Sequence, residues 1–424
     1  MLLLSAPEHI LSTTIKLAGS KSISNRLLIL NNVLDLNLSL ENNSTSEDTL
    51  LLQNAFDQIK NKDHATIDIH HAGTDMRFLT ALLSAKKGDW ILTGSDRMKQ
   101  RPIGELVNAL RTLGAEVDYL EKENFPPLKI KGKKLKGGKL EIDGSISSQF
   151  VSALLLISPT FENGLELTLK NEIVSWPYVL MTLDLLSEFG SKVSTVLNTI
   201  HVSQSDSKFK VQDSQIFNVE SDWSAASYWY SIVALSKKAE ITLVGLKKSS
   251  SQGDSVLPEI YKQLGVSSQF MNEGLMLTKS NRVDTYFEYD FTNCPDLAQT
   301  IAVTCFGLGI KAKLTGLKTL KIKETDRILA LKTELEKFGA LVSISENSLE
   351  IKDSGLKTKD KLPTADCQVI SIKTYNDHRM AMSFTPLALV FGAINILNPE
   401  VVSKSYPLFW EDLKSVGFSV NLLP

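Results

Sequence analysis

Glycines recur along the chain at a nearly constant spacing, each directly after a short segment of helical, partly leucine-rich character. They are Gly114, Gly190, Gly265, Gly339 and Gly417, separated by 76, 75, 74 and 78 residues. A fixed period of this length indicates one structural unit copied several times. Glycine after an apolar, periodic segment is also a signal for the C-terminal end of a helix. The 424-residue chain therefore has room for about six units of about 75 residues each.

A second series of residues interleaves with these glycines and predicts helix starts. Short polar side chains precede apolar helical runs at Ser20, Thr74, Ser147, Asp222, Asp296 and Asp377. Ser, Thr and Asp in this position are typical helix N-caps. Each unit is thus predicted to carry two helices, with strands between them. The first unit has a weaker second helix, from Asp48 to Ile59, with no closing glycine.

Alternation of short β-branched runs with helical segments predicts an α/β or α+β protein. The length favours two domains, and the polar stretch Gln204–Gln215 is the best internal boundary, with three units on either side. Several capped helices lack a polar face, for example Val151–Ile157 and Ile301–Phe306. Such helices are buried. Each domain is predicted to hold three capped helices at its centre, walled by sheets and by the amphipathic second helices.

Composition excludes several classes of function. A formal net charge of −2 gives no reason to expect nucleic acid or an anionic membrane as a partner. Cys294, Cys305 and Cys367 have no metal or redox spacing, which favours a reducing, cytoplasmic environment. The sequence begins without a signal-peptide pattern, and no apolar run approaches the roughly 20 residues of a membrane span.

Cations stand at the starts of predicted buried helices, where the helix dipole disfavours them. Lys21, Arg26 and Arg379 are examples, and a bound anion would reverse the penalty. Solvated surface caps explain one such residue well. Their recurrence at equivalent places favours an anion site.

Two further basic clusters occur. Arg97, Lys99 and Arg101 precede a helix that is predicted to begin at Pro102, although a solvated loop explains them equally well. Lys323 and Arg327 are predicted as i,i+4 neighbours on a helix, where they form either an intrahelical salt-bridge set or a phosphate site.

Two carboxylates are candidates for acid–base chemistry. Asp296 follows Pro295 at the head of a buried helix, where a plain N-cap is the alternative. Glu324 lies between Lys323 and Arg327. The chain has no P-loop, no metal-binding histidine spacing and no serine-hydrolase elbow. The residues alone therefore predict a two-domain enzyme that binds phosphorylated, acidic small molecules without a metal.

Several motifs together resemble one family. They are Gly19–Ser22, Ser24–Arg26, Ala72–Thr74, Met76–Arg77, Arg97–Lys99, Arg101–Gly104, Ser147–Phe150, Pro295–Asp296, Lys323–Arg327 and Tyr375–Met382. In this order they are similar to the 5-enolpyruvylshikimate-3-phosphate synthase family, over the range Leu17 to Pro407.

The resemblance implies two domains that close on substrate, each made of three βαβαββ-type units with buried parallel helices walled by sheets (an inside-out α/β barrel). The implied domains are residues 20–219, on the shikimate 3-phosphate side, and residues 1–19 with 220–424, on the phosphoenolpyruvate side. The implied reaction transfers the enolpyruvyl group of phosphoenolpyruvate to the 5-hydroxyl of shikimate 3-phosphate by addition and elimination. It needs no cofactor and no metal, and the family expectation is a cytoplasmic monomer that acts on these two small molecules.

The resemblance also assigns roles to residues. Those implied for shikimate 3-phosphate are Lys21, Ser22, Arg26, Ser147, Ser148, Gln149, Ser175, Tyr178, Asp296 and Lys323. Those implied for phosphoenolpyruvate are Lys21, Gly73, Arg101, Gln149, Arg327, Arg379 and Lys404. The implied catalytic residues are Asp296, as base for the 5-hydroxyl, Glu324, as acid for the methylene carbon, and Lys21, which touches both substrates.

Some positions depart from the common family pattern and bear on substrate affinity and on the response to the inhibitor glyphosate. They are Ala18, His71, Asp75, Phe78, Trp176 and Thr319. Asp75 places negative charge beside a phosphate pocket unless Arg77 neutralises it.

Two other functions compete with this interpretation. The related UDP-N-acetylglucosamine enolpyruvyl transferases carry a reactive cysteine in a loop where this chain has only Arg97 to Arg101. A catalytically silent anion-binding module would require the departures from the family pattern to be disabling.

Overall fold

The computed structural model describes residues 1–9, 12–203, 215–280, 283–356 and 369–423. The chain divides into two compact units. The N-terminal unit is Gly19–Val219, and the C-terminal unit is Met1–Ala18 together with Glu220–Pro424. The predicted boundary stretch up to residue 214, and Cys367, lie outside the described residues.

The helices of the described residues alternate with the strands. They are α1 (Lys21–Leu34), α2 (Glu47–Ile59), α3 (Gly73–Ala85), α4 (Gly104–Thr112), α5 (Ser148–Ile157), α6 (Trp176–Glu188), α7 (Trp223–Leu235), α8 (Leu257–Gln263), α9 (Ala298–Gly307), α10 (Arg327–Glu336), α11 (His378–Phe384), α12 (Ala388–Phe391) and α13 (Phe409–Ser415).

The strands of the described residues are short. They are β1 (Leu2–Ser5), β2 (Thr13–Lys16), β3 (Leu38–Glu41), β4 (His64–Asp68), β5 (Gly88–Thr93), β6 (Glu116–Tyr119), β7 (Leu128–Gly132), β8 (Gly138–Asp143), β9 (Leu165–Lys170), β10 (Val193–Val196), β11 (Thr199–Val202), β12 (Gln215–Asn218), β13 (Glu240–Val244), β14 (Val266–Met271), β15 (Gly274–Lys279), β16 (Tyr286–Asp290), β17 (Lys311–Thr315), β18 (Leu341–Ile344), β19 (Leu349–Asp353), β20 (Ser371–Ile372), β21 (Ala393–Ile396) and β22 (Ser419–Leu422).

Four-stranded sheets repeat one connectivity. In the order β4-β5-β7-β6, the first pair is parallel and the other two pairs are antiparallel, and β8-β9-β11-β10 is built in the same way. The C-terminal unit has the sheets β2-β13-β15-β14, β16-β17-β19-β18 and β20-β21-β1-β22. The N-terminal residues thus contribute β1 and β2 to sheets of the C-terminal unit. The predicted α/β architecture of repeated βαβαββ units is confirmed.

The first unit of the repeat is shorter than the others. Among the described residues its sheet has two strands, β3 and the parallel strand β12. Helix α2 ends at Ile59 with an extended Lys60 at its C-cap and leads directly to β4. The closing glycine and the hairpin after it are therefore missing together.

Buried helices form the centre of each unit. In the N-terminal unit α1, α3 and α5 pack against one another, and in the C-terminal unit α7, α9 and α11 do the same. Nearly every residue of α9 is buried, including the polar Gln299 and Thr300, so the helix has no solvent-facing side. This confirms the prediction that helices without a polar stripe are buried.

Most of the predicted helix ends are confirmed. The five recurring glycines follow helix ends with φ between 81° and 101°, which is the left-handed region that glycine enters easily. Ser147, Asp222 and Asp377 are N-caps whose side chains accept a backbone N–H. Ser20 is the N-cap of α1 but makes no side-chain cap bond.

Three predicted helix starts are wrong. Thr74 lies inside α3, whose N-cap is Ala72. Asp296 lies in a 3₁₀ turn, Pro295–Leu297, ahead of α9, because its carboxylate binds side chains from other segments. Helix α4 begins at Gly104 rather than at Pro102.

Candidate functional site

One arginine organises the charged residues of the C-terminal unit. Arg327 is the first residue of α10 and is only 1% exposed. Its Nε lies 2.6 Å from Asp377 Oδ2, its Nη1 lies 3.0 Å from Asp296 Oδ1, and its Nη2 lies 2.9 Å from Glu324 Oε2. A single planar guanidinium therefore fixes three carboxylates at once.

Further cations surround two of these carboxylates, those of Asp296 and Glu324. Arg379 Nη2 lies 3.0 Å from Asp296 Oδ2, and Lys323 Nζ lies 3.8 Å from Asp296 Oδ1. On the other side, Lys404 Nζ lies 2.8 Å from Glu324 Oε1. Each candidate acid–base group is thus held by at least two cations.

The cap of α11 positions Arg379. Asp377 is fully buried and accepts the backbone N–H of Arg379 through Oδ1, while both of its oxygens also bind Arg327. The preceding residues Tyr375 and Asn376 both have φ of 55°. Strained backbone of this kind persists where the surroundings fix it, and here it aims Asp377 into the cluster.

These charges shift the pKa of Asp296. Burial alone would raise it, but the nearby Arg379, Lys323 and Arg327 outweigh burial and hold the pKa of Asp296 well below its usual range. Burial likewise lowers the pKa of Arg327, while Asp377, Glu324 and Asp296 together raise it above its ordinary value. Without a bound anion, Asp296 is therefore a weak base.

The predicted placement of Lys323 and Arg327 on one helix is wrong. A 3₁₀ turn, Lys318–Ile322, ends just before Lys323, which is extended, and α10 begins only at Arg327. Asp326 ends this stretch as the N-cap of α10 and accepts the N–H of Leu329. The two cations instead approach the carboxylate of Asp296 from separate backbone segments.

In the N-terminal unit, Lys21 is the first residue of α1. Its Nζ lies 2.8 Å from Asp48 Oδ2, and the Asp48 side chain is only 4% exposed. Asp48 stands in the first turn of α2, whose N-cap Ser46 accepts the N–H of Thr49. The Lys21 ammonium is thus anchored at the uncapped start of a buried helix.

Arg26 lies one turn further along α1 and is 2% exposed. Its guanidinium donates to Thr182 Oγ1 at 2.8 Å, to Ser152 Oγ at 3.1 Å and to the backbone oxygens of Ser22 and Tyr178 at 2.8 and 3.1 Å. Burial lowers the pKa of Arg26 to about 10, so it remains charged at neutral pH. It ties α1, α5 and α6 together.

The starts of α3, α5 and α6 carry the remaining predicted residues of this unit. Ser147 caps α5 by accepting the N–H of Gln149, and Gln149 Nε2 donates to Thr74 Oγ1 at 3.1 Å. Ser148 is buried. Ser175, the N-cap of α6, has φ of 56°, and its backbone oxygen accepts the N–H of Tyr178. A polar bridge thus links the N-terminal turns of α3 and α5.

Gly73 and Arg101 are in contact. A Cβ added at Gly73 would lie 2.3 Å from Arg101 Nη1, so any larger residue would push this guanidinium away from its place at the start of α3. Arg77, one turn later, donates to the backbone oxygen of Gly73 at 3.0 Å. Lys99 pairs with Glu121 at 2.7 Å. Of the basic loop predicted from sequence, Arg101 therefore packs on the helix, whereas Lys99 holds a neighbouring loop.

The positions that depart from the family pattern are accommodated in different ways. Buried Asp75 accepts a hydrogen bond from Asn25 at 2.7 Å, and the Phe78 ring lies 5.4 Å from the Arg26 guanidinium. His71 Nδ1 lies 2.8 Å from Ser95 Oγ. Thr319 is half-buried, and its hydroxyl has no hydrogen-bond partner among the described residues.

Sequence reasoning missed several residues that hold the predicted ones. They are Asp48, Ser152, Thr182 and Ser224, together with Asp254, which binds Ser224. Their sequence signal is weak, since Ser and Thr on helices are common and each reaches its partner only in the folded unit. Asp48 alone stands out, as an acid in the first turn of a helix.

The described residues show neither a metal-ligand cluster nor a helix that could span a membrane. Within the described ranges there is no group of three His, Cys, Asp or Glu residues that could hold a metal ion. Across that same part of the chain, no helix is both long and apolar enough to span a membrane. Cys294 and Cys305 are buried free thiols.

The chain is similar to known proteins over nearly its whole length. A family model described as EPSP synthase (3-phosphoshikimate 1-carboxyvinyltransferase) matches residues 57–413. A 3-phosphoshikimate 1-carboxyvinyltransferase of Bacteroides fragilis (strain ATCC 25285) is 45% identical over 424 aligned residues, which cover 99% of this chain and 98% of the relative. One from Buchnera aphidicola is 36% identical, with 98% of this chain and 97% of the relative covered. A solved EPSP synthase from Acinetobacter baumannii has a TM-score of 0.74 at 22% identity, with 99% of this chain and 100% of that chain covered, and so is similar in fold.

Proposed function

This chain belongs to the EPSP synthase family, and we propose that it catalyses the 3-phosphoshikimate 1-carboxyvinyltransferase reaction. The enolpyruvyl group of phosphoenolpyruvate is transferred to the 5-hydroxyl of shikimate 3-phosphate, and phosphate is released. The protein is a transferase of aromatic amino acid biosynthesis, and its substrates are small molecules. We place it in the cytoplasm as a monomer that needs no cofactor.

The observation that carries this proposal is the arrangement around Arg327. Its guanidinium holds Asp296 on one nitrogen and Glu324 on the other, at 3.0 and 2.9 Å. The reaction requires a base for a hydroxyl and an acid for a carbon, both acting on one substrate pair. Two carboxylates fixed side by side on a rigid fork satisfy this requirement.

Phosphoenolpyruvate is proposed to bind the cations that are paired with the protein's own carboxylates in this structure. Arg327, Arg379 and Lys404 all bind Asp296 or Glu324 in this structure. A phosphate ester brings about −1.5 to −2 charges at neutral pH and prefers arginine forks. As the anion takes these cations, they stabilise Asp296 less, and the pKa of Asp296 rises from its depressed value towards that of a usable base.

The N-terminal unit contributes the other proposed contacts. Shikimate 3-phosphate is assigned to a set of mostly polar groups at the starts of its helices, which are Lys21, Ser22, Arg26, Ser147, Ser148, Gln149, Ser175 and Tyr178, with Asp296 and Lys323 from the C-terminal unit. Phosphoenolpyruvate is further assigned to Lys21, Gly73, Arg101 and Gln149. The support is that α1 and α3 both begin without a side-chain cap bond, beside Lys21 and Arg101 respectively.

The proposed reaction has two steps. In the first step, Asp296 takes the proton of the 5-hydroxyl, and the hydroxyl oxygen bonds to C2 of phosphoenolpyruvate. Glu324 gives a proton to C3, which becomes a methyl group. Glu324, now a carboxylate, then takes a proton from that methyl group and the C2–C3 double bond re-forms. The bond between C2 and the phosphate oxygen breaks, and phosphate leaves with the electron pair and takes up the proton held by Asp296. Lys21, close to both substrates, balances the negative charge of the phosphates.

The test is phosphate release from phosphoenolpyruvate with shikimate 3-phosphate, with UDP-N-acetylglucosamine as the parallel acceptor. We expect release with shikimate 3-phosphate only. Asp296→Ala protein prepared in the same way controls for contaminating phosphatase and should be nearly inactive. Release with the nucleotide sugar alone, or with neither acceptor from folded protein, would overturn the proposal.

A further inference from the structure

A buried acid that the reaction does not use lies behind the arginine cluster. Asp254 is 3% exposed and sits in a 3₁₀ turn, Gly253–Val256, that leads into α8. Its Oδ2 accepts a short hydrogen bond from the hydroxyl of Ser224, while its Oδ1 is buried without a hydrogen-bond partner among the described residues. A carboxylate with one oxygen unsatisfied is costly to bury in its charged form.

Ser224 connects this acid to the proposed phosphoenolpyruvate site. Its Oγ lies 3.4 Å from Arg379 Nη2, and the same nitrogen lies 3.0 Å from Asp296 Oδ2. The hydroxyl thus accepts from the guanidinium and donates to Asp254. The order of contacts is Asp254, Ser224, Arg379 and Asp296.

The charge state of Asp254 follows from its surroundings. Burial first, and then the negative charge of Asp296, raise the pKa of Asp254 to about 7, against the opposing effects of Arg379 and Ser224. Among the described residues, the other titratable groups that interact with it electrostatically are Asp222 and the buried thiol of Cys294. Because Arg379 already neutralises Asp296, it offers little further compensation to a second carboxylate.

We infer that Asp254 is a positioning residue for phosphoenolpyruvate that works as a neutral acid. In that form it holds Ser224, which fixes the Arg379 guanidinium for the substrate anion. When Asp254 ionises, its charge competes with that anion for Arg379 and weakens binding. The inference rests on the proposed function, since it names a residue that tunes the same site.

The first test compares the KM for phosphoenolpyruvate of wild type, Asp254→Asn and Asp254→Ala from pH 6 to 8.5, with shikimate 3-phosphate saturating. Asn mimics the neutral acid, so its KM should match wild type within about twofold at pH 6. By pH 8.5 the wild-type KM should exceed that of Asp254→Asn by at least about threefold. The substrate's own titration cancels in this ratio.

The Ala variant separates positioning from charge. It removes the hydrogen-bond partner of Ser224, which orients a charged group. The KM of Asp254→Ala should therefore exceed that of Asp254→Asn about tenfold or more at every pH, with kcat changed less. Glu259→Gln removes an exposed acid from α8 as a matched control and should behave as wild type. A flat wild-type to Asn ratio, or an Asn variant as impaired as Ala at pH 6, would overturn the inference.

A second measurement does not depend on activity. Between about pH 4 and 7 the folded wild type keeps a proton that the unfolded chain has released, so its stability falls as pH rises through this window. The melting temperature of Asp254→Asn minus that of wild type should therefore increase by at least about 2 °C between pH 5 and pH 8. Equal melting differences at both pH values would refute the neutral acid. If wild type is inactive but the difference in melting temperature between the two proteins changes with pH as predicted, the proposed function is wrong and the neutral charge state of Asp254 is still supported.

Discussion

Replacing Asp296 with Asn tests whether one carboxylate both serves as the base and occupies the anion site. The change keeps the shape of the side chain and removes a charge that lies 3.0 Å from Arg327 and 3.0 Å from Arg379. A general base contributes about 10²- to 10⁴-fold to rate, so kcat should fall by at least about 100-fold.

The same change should destabilise the ligand-free protein. Removing one partner from a buried ion pair costs about 3 to 5 kcal/mol, and the Asp296 side chain is 17% exposed, so the lower end applies. The pKa of Asp296 is depressed by folding, so its contribution to stability is present above the unfolded value near pH 4 and is lost as pH falls below it. The difference between wild type and variant should therefore be constant from pH 5 to 8 and shrink in acid.

Anion binding gives the decisive readout. With the competing carboxylate gone, inorganic phosphate should bind the Asn variant at least about tenfold more tightly, which adds about 1.4 kcal/mol to its stabilisation at high phosphate. Urea unfolding with and without phosphate measures this, and Glu288→Gln, which breaks an exposed pair with Lys313, is the control. A variant with a kcat within threefold of wild type would remove Asp296 as the base, and equal stabilisation of both proteins by phosphate would refute the competition.

Three further substitutions test other parts of the site. Glu324→Gln should lower kcat by at least about 100-fold, because it removes the acid, and should not raise the KM for phosphoenolpyruvate, because Lys404 and Arg327 lose a competing carboxylate; steady-state kinetics check this, and a raised KM with an unchanged kcat would contradict it. Arg26→Lys should raise the KM for shikimate 3-phosphate about tenfold, since lysine lacks the fork that reaches α5 and α6, and an unchanged KM would show that this network is not needed. Glu334→Gln should cost about 2 kcal/mol in urea unfolding, because an NH₂ group in place of the buried Oε2 can neither accept the backbone N–H of Lys373, whose nitrogen lies 3.1 Å away, nor pair with Lys337; identical unfolding curves would show that these two contacts do not stabilise the fold.

Local signals in the sequence predicted the repeat and most of its caps correctly. The left-handed backbone at Gly114 and Gly417 depends only on the glycine and its immediate neighbours in the chain. The capping of α5 by Ser147 is equally local. The fold class and the family followed from such features, and both are confirmed.

Contacts between distant segments explain what sequence reasoning missed. Asp296 satisfies the pattern of an N-cap, yet its partners Arg327 and Arg379 lie 31 and 83 residues away. Arg26 reaches Thr182 across 156 residues. Asp254 has a polar, glycine-containing neighbourhood typical of a loop, and only the folded unit buries it. The roles assigned to individual residues remain predictions.

The most direct test of the addition–elimination account is the reaction in D₂O. In D₂O, the proton added to C3 is a deuteron, which turns the methylene of phosphoenolpyruvate into a freely rotating methyl group with two hydrogens and one deuterium. Loss of either hydrogen leaves the deuterium in the product. Wild-type protein should therefore give product with deuterium in its vinyl methylene, seen by mass spectrometry, and Glu324→Gln should form neither labelled product nor labelled phosphoenolpyruvate. Product that forms in D₂O without deuterium at this carbon would contradict the account.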